Sequence, residues 1–290
     1  MLGLVSTMIG QTRQVYDAGL GRPRGLLGVT PPAGTFRHSR RQPPPDLALC
    51  VENFWSVRWD LTGHAPFDAE TLPHPNVYLT FDCGAAWLGG VNTGKFTRRL
   101  EGRGTVIGIK FAAGAFRPFL GESVSALRNR IVAARTVFGQ HADQLAAQFH
   151  PLPVAGDDEH VEFAAVADLL RQHLPPADPL AVLARSCVEL IATNRTTQTV
   201  EGVARASGLS KRSLQRLFTD YVGVPVKWVV RRCRLHDLVD AIHSGEAPQW
   251  AALAADLGYC DQAHLIRDFR SVAGYTPTFA TRRARSRSAG

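Results

Sequence analysis

The chain has 290 residues, 45% of them apolar and 20% charged, enough for about two domains of ~100–200 residues and too apolar for a disordered tail. Its first ten residues carry no charge and fall short of the ~20 apolar residues of a membrane span, so secretion and membrane insertion are not expected and the cytoplasm is. Residues 181–290 hold 16 Lys and Arg against 9 Asp and Glu while residues 1–180 hold 17 against 16, so nearly all of the excess sits at the C-terminal end, where it suits a polyanion that sheds counterions on binding.

Residues 1–24 lack sustained periodicity and are expected to be a disordered extension; residues 30–45, rich in Pro and Arg, read as a loop-rich entry. Order is expected from about Leu26. Val51, Phe54, Trp55, Val57 and Trp59 are the β-branched and aromatic types a strand prefers. Further strands are expected at residues 76–82, 86–88, 95–100 and 105–111, broken by glycine pairs and Asn92. Helical signals follow at residues 115–120, 124–130 and 143–149, so residues 25–150 read as an α+β domain with an antiparallel sheet. Pro151, Pro153 and the acidic run ending at Glu159 mark a joint. Val161, Phe163, Val166, Leu169 and Leu170 then repeat at helical spacing, making residues 151–179 a helical linker. Asp178 is placed to cap the next helix, with Pro179 at its first position.

Several chemistries are set aside in this stretch. The five cysteines form no C-x-x-C pair, so neither a zinc ribbon nor a disulfide framework is read and free thiols are expected. Gly89, Gly94 and Lys95 have the spacing of a phosphate-binding loop, but Phe96 takes the Ser/Thr position and a strand follows instead of a helix, which favours a hairpin turn. His64 and His74 stand near prolines as loop residues rather than metal ligands, and neither H-E-x-x-H nor G-x-S-x-G is present. No metal and no cofactor is expected. Phe54, Trp55, Trp59, Tyr78, Phe81 and Trp87 either fill the core or line an effector pocket.

Residues 180–283 read as helices only, followed by a basic tail at 284–290. Within them the chain repeats itself at an offset of 50 to 51 residues. Val203, Ala204 and Gly208 match Leu253, Ala254 and Gly258; Ser210, Leu214, Arg216 and Phe218 match Asp261, Leu265, Arg267 and Phe269; Gly223 matches Gly274. Each copy reads helix, glycine turn, helix, with Ser210 or Asp261 capping the second helix. In the first copy Leu214, Leu217 and Phe218 form the buried stripe, leaving Lys211, Arg212, Gln215 and Arg216 outward. Arginine bonds guanine and glutamine bonds adenine through paired hydrogen bonds, so this face suits a major groove. The second copy presents Gln262, Ala263, His264 and Arg267. Between them, residues 225–242 read as one helix of about 27 Å, which sets the two faces roughly one DNA turn, about 34 Å, apart.

These residues resemble the AraC/XylS family of bacterial transcription regulators over residues 182–283. The motifs are G-L-S-x-R-x-L-x-R-x-F from Gly208 to Phe218, Pro225 through Arg234-Leu235, L-G-Y-x-D-Q-x-H-L-x-R-x-F from Leu257 to Phe269, and G-Y-T-P from Gly274 to Pro277. Ala280 and Thr281 stand where the family usually has Tyr-Arg. The resemblance implies that Arg212, Gln215 and Arg216 contact bases in the first module and Ala263, His264 and Arg267 in the second. Residues 72–75 and 106–119 are similar to an uncharacterised sensor domain often fused to such regulators, which implies a regulatory role. The reading is a double-stranded promoter or operator DNA binder that recruits or excludes RNA polymerase, with a small-molecule effector or homodimerisation as tasks of the N-terminal domain. The alternative is an N-terminal enzyme targeted to DNA by the basic part.

Overall fold

The computed structural model describes residues 4–9, 12–17, 20, 23–28, 34–149, 159–194, 197–244 and 249–288; for residues 4–17 and 285–288 it describes the backbone only. The joint expected at residues 151–158 and the last two residues of the basic tail lie outside the described residues. An N-terminal domain of β-strands is followed by helices, as the sequence led us to expect.

The N-terminal strands are β1 (Leu4–Ile9), β2 (Thr12–Asp17), β3 (Leu26–Gly28), β4 (Thr35–Arg41), β5 (Val51–Asp60), β6 (Phe67–Thr71), β7 (Tyr78–Asp82), β8 (Ala85–Gly89), β9 (Phe96–Leu100), β10 (Arg103–Phe111) and β11 (Ile131–Ala133). They form an eight-stranded sheet in the order β1-β2-β4-β5-β10-β7-β8-β11 and a three-stranded sheet β3-β6-β9. Every pairing is antiparallel except β2 with β4. Two of the strands, β1 and β2, lie in the stretch expected as an extension. The hairpin turn expected between Gly89 and Lys95 is not formed: β8 pairs with β7 and β11 while β9 pairs with β6, so the segment carries the chain from one sheet to the other.

One face of the large sheet carries Phe54, Leu79, Phe81, Ile107 and Ile109 and is covered by α2 (Arg135–Gln148) and α3 (His160–Gln172), whose Phe138, Leu145, Phe163, Val166 and Leu170 complete the core. The helix read as a linker thus packs against the sheet. The opposite face packs Phe36, Trp59, Leu61, Phe67, Leu100 and Val106. Two glycines on β10 let this layer close: a Cβ at Gly108 would lie 2.4 Å from the Trp55 ring and one at Gly104 2.1 Å from the Trp59 ring.

Strand β4 falls in the stretch expected as loop because its polar residues obscure the alternation. Under α3, Arg37 and Ser39 of β4 meet Ser56 and Arg58 of β5 around the buried Glu159 carboxylate. Ser39 Oγ donates to Glu159 at 3.0 Å and Ser56 Oγ at 3.2 Å; Arg37 lies at 3.3 Å, and Arg58 reaches Glu162 at 3.2 Å. Buried charge is tolerated when so paired. The expected helices at 115–120 and 124–130 shrink to single turns, α1 (Arg117–Leu120) and a 3-10 turn (Val124–Leu127).

The C-terminal part comprises α4 (Pro179–Thr193), α5 (Val200–Ser207), α6 (Lys211–Leu217), a π-turn (Phe218–Val222), α7 (Val226–His243), α8 (Trp250–Asp256), α9 (Gln262–Ala273) and α10 (Pro277–Ser288). Asp178 caps α4, its carboxylate accepting from Leu180 N–H at 2.8 Å. Helix α7 belongs to two cores at once. Val226, Val229, Val230 and Cys233 pack with α4 to α6, whereas Leu235, Leu238, Val239 and Ile242 pack with α8 to α10. Ala280 is buried in that second core, and Thr281 Oγ bonds the Pro277 carbonyl at 3.1 Å, so α10 seats with these small residues in place of Tyr-Arg. Among the described residues no helix is long and apolar enough to cross a membrane.

Candidate nucleic-acid interface

The repeat in the sequence is a repeat in the backbone. Gly208 ends α5 at φ +70°, and Gly258 ends the corresponding turn after α8 at φ +72°. Gly223 and Gly274 close the copies at +85° and +87°. Left-handed conformations at matching places are the reason for glycine there. Ser210 Oγ accepts from Ser213 N–H at 3.1 Å and Asp261 Oδ1 from His264 N–H at 2.6 Å, so each second helix starts on a side-chain cap.

These caps fix which way the helices face. On α6, Leu214 and Leu217 are buried, and Lys211, Arg212, Gln215 and Arg216 are exposed. On α9, Leu265 and Phe269 are buried, and Gln262, Ala263, His264 and Arg267 are exposed. All eight residues singled out from the sequence therefore stand on the outer faces of α6 and α9. Lys211 Nζ lies 2.6 Å from Glu201 of α5, with both side chains more than half exposed. The lysine holds the Glu201 carboxyl below its ordinary range.

Behind α9 lies a set of contacts that the sequence did not announce. Tyr259, at the turn after α8, donates its hydroxyl to Asp268 Oδ2 at 2.8 Å and forms a T-shaped contact with the His264 ring, 5.2 Å between centroids. Asp268 Oδ1 accepts from Arg231 Nε of α7, and Arg231 Nη2 donates to Ser271 Oγ at 2.5 Å. One turn along α7, Arg234 donates to the Gly258 carbonyl at 3.1 Å and to the Gln198 carbonyl, just before α5, at 3.0 Å.

The N-terminal domain touches the first copy, α7 and α10. Arg128 Nε donates to the Gly223 carbonyl at 2.7 Å and Ser123 Oγ to the Thr219 carbonyl at 3.1 Å, while Val91 and Ala113 sit in the core of the first copy. On α7, Arg24 pairs with Asp237 and, at 2.6 Å, with Asp240; Arg232 Nη2 donates to the Thr93 carbonyl at 2.7 Å. His236 Nε2 donates to the Leu72 carbonyl at 3.0 Å and its ring lies 4.0 Å from that of His74. Beyond α9, Glu70 joins Lys95 to Arg283 of α10 at 2.6 Å, with the Tyr275 hydroxyl at 3.4 Å. His74, expected as an isolated loop residue, thus belongs to an interface. Burial draws its imidazole well below the ordinary 6.5, and draws those of His236 and His38 down to about 3.

Of the aromatics that were open to two readings, Phe54, Trp59 and Phe81 are core, Trp55 and Tyr78 are half-buried and Trp87 is exposed. The five cysteines are free. Among the described residues no group of three or more His, Cys, Asp or Glu side chains is placed to hold a metal.

Residues 203–283 match the family model described as a helix-turn-helix domain, and residues 39–133 match a domain of unknown function, DUF6597. Among solved structures, the chain is similar to a probable AraC family transcriptional regulator from Rhodopseudomonas palustris, at 25% identity over 36% of this chain and 97% of that one, with a TM-score of 0.32. It is similar to apo ToxT from Vibrio cholerae at 8% identity over 79% and 96% of the two chains, TM-score 0.41. It is also similar to ToxT from the same organism bound to an unsaturated fatty acid, at 10% identity over 74% and 86%, TM-score 0.36.

Proposed function

We propose that this chain, an AraC-type DNA-binding transcription regulator rather than an enzyme, reads two adjacent half-sites of promoter or operator DNA at a spacing governed by its N-terminal domain. The observation that carries the reading is the pair of capped helices, α6 and α9, each turning a polar face to solvent. In it, Arg212, Gln215 and Arg216 read base edges of the first half-site with Lys211 on phosphate. Gln262, Ala263, His264 and Arg267 meet the second, where Ala263 suits a thymine methyl and His264 one hydrogen bond.

Control by the N-terminal domain is supported by its hydrogen bond to the end of the first copy, its contacts with α7, its ion pair with α10 and the packing of Leu27 and Leu72 in the core of the second copy. A domain tied to both helix-turn-helix units changes their relative placement whenever its own conformation shifts. A small-molecule effector of that domain acts by differential affinity for the two placements. Trp87 and Ile131, 40% and 67% exposed on the paired strands β8 and β11, offer apolar surface to a second copy. Recruitment or exclusion of RNA polymerase at the bound promoter completes the reading.

The test is a binding-site selection on the full chain. Two half-sites with centres about 10–10.5 base pairs apart are expected, with affinity falling steeply as salt is added. A single half-site, or no sequence preference, overturns the reading. Joint replacement Arg24→Ala with Glu70→Gln is expected to alter affinity for paired half-sites while leaving affinity for an isolated first half-site unchanged.

A further inference from the structure

Asp268 stands on the recognition helix α9 but not on its exposed face; its side chain is 10% exposed and both its oxygens are engaged. Oδ1 accepts from Arg231, which projects from α7 and also holds Ser271 one turn further along α9. Oδ2 accepts from the Tyr259 hydroxyl. Tyr259 is 6% exposed, wedged between the Arg234 guanidinium, 5.7 Å from its ring, and the His264 imidazole. Burial, with the Asp268 charge beside it, pushes the tyrosine hydroxyl above its ordinary range, so it remains a proton donor to the carboxylate. Arg234 in turn bonds the carbonyl of Gly258, in the turn of the second copy, and that of Gln198, just ahead of the first copy.

Two arginines three residues apart on one helix therefore bracket the second copy: Arg234 holds its turn and Arg231 its recognition helix. The contacts fix more than position along α9. An apolar stripe alone lets a helix roll by a fraction of a turn at little cost, whereas charge-assisted hydrogen bonds to a fork-shaped guanidinium are directional. Tyr259 extends the same constraint to His264, whose ring it meets edge-on at an interplanar angle of 86°.

We infer that Asp268, with Arg231 and Tyr259, is a positioning residue for sequence reading: it sets the roll of α9 against α7 and so the spacing and register at which the second half-site is read. This rests on the proposed reading that His264 and Arg267 face bases. Asp268 itself touches no base. Its removal acts through His264 and Arg267, and through the distance between half-sites.

The experiment measures the full chain on duplexes with the selected spacing and with one base pair inserted or deleted between half-sites, for the wild type, Asp268→Asn, Tyr259→Phe and His264→Ala. Tyr259→Phe keeps the ring and removes only the hydroxyl, and thermal melting checks that each variant folds. Asp268→Asn is expected to reduce the discrimination against altered spacing by about tenfold, and Tyr259→Phe by less, with the first half-site profile unchanged. A uniform loss of affinity at all spacings makes the contacts merely structural and overturns the inference. Wild-type spacing preference in folded Asp268→Asn and Tyr259→Phe, with His264→Ala losing second half-site selectivity, overturns it and leaves base reading intact. No change of selectivity in His264→Ala overturns both.

Discussion

Arg232 is the largest fully buried side chain among the described residues, where no carboxylate forms a direct ion pair with it, although the Asp268 charge acts on it favourably. The prediction is that Arg232→Met leaves stability almost unchanged while Arg232→Ala does not. Three contributions set the magnitude. The charged hydrogen bond to the Thr93 carbonyl stabilises by about 1.5–3 kcal/mol. Stacking of the guanidinium on Trp228, at 4.6 Å, adds about 0.5–2 kcal/mol. Against these, burial, assisted by the Arg231 charge, draws the guanidinium down from 12.5 to about 10, a penalty on the charged form of about 3 kcal/mol. Nη1 meanwhile finds no hydrogen-bond partner among the described residues. The net lies between about 1 kcal/mol against arginine and about 2 kcal/mol in its favour. Methionine fills most of the same volume without the desolvation, so its variant is expected within about 2 kcal/mol of the wild type. Alanine leaves a cavity between α7 and the segment around Thr93 and is expected to cost about 2 kcal/mol more than methionine. Urea unfolding followed by tryptophan fluorescence reads both. If methionine is as destabilising as alanine, the guanidinium is a net stabiliser and the reasoning on desolvation is refuted.

Replacing Arg216 by Ala is expected to cost about 1–3 kcal/mol at one base position, whereas Lys211→Ala weakens all sequences alike and lowers the salt slope by about one; equal effects on specific and random DNA from both variants would remove Arg216 as a reader. The first half-site is expected to carry more sequence information than the second, because Arg212, Gln215 and Arg216 each offer paired hydrogen bonds whereas Ala263 and His264 do not; a selection returning a stronger second half-site refutes this. Acidification is expected to loosen the interface between the N-terminal domain and α7. His236 is held at about 3 by burial, with Arg232, Arg24 and Lys110 adding to the effect. A lowered folded-state value means full stability above the ordinary 6.5 and loss as pH falls from there toward 3, reaching about 2 kcal/mol for this imidazole by pH 5. A melting temperature that does not move between pH 7 and 5 would show that His236 is protonated in place without cost.

What the sequence discloses and what it hides divide along the range of the interaction. The caps at Ser210 and Asp261, the glycines at 208, 223, 258 and 274 and the buried stripe of α6 are all decided within one or two turns of chain, so spacing alone finds them. The same holds for β5 and β10, whose apolar and aromatic residues declare a strand. Strand β4 escapes because its half-buried Arg37 and buried Ser39 pair with Glu159, 120 or more residues away in the chain; a polar residue made tolerable by a remote partner looks like surface. The helix at His160–Gln172 shows its period but not its destination, since the same stripe suits a linker resting on any neighbour. So it is with the interface. All eight candidate DNA contacts were legible as outward positions of short capped helices. The bracket of Arg231, Arg234, Tyr259 and Asp268 was not, although Arg231 and Arg234 stand one turn apart in a basic run that charge counting assigned to DNA. Part of the positive charge at the C-terminal end therefore faces inward: Arg231 and Arg234 hold the second copy to α7, Arg232 meets the N-terminal domain, and Arg283 meets Glu70. The electrostatic excess is shared between binding a polyanion and fixing the geometry with which it is bound, and only the exposed share should appear in the salt dependence of DNA affinity.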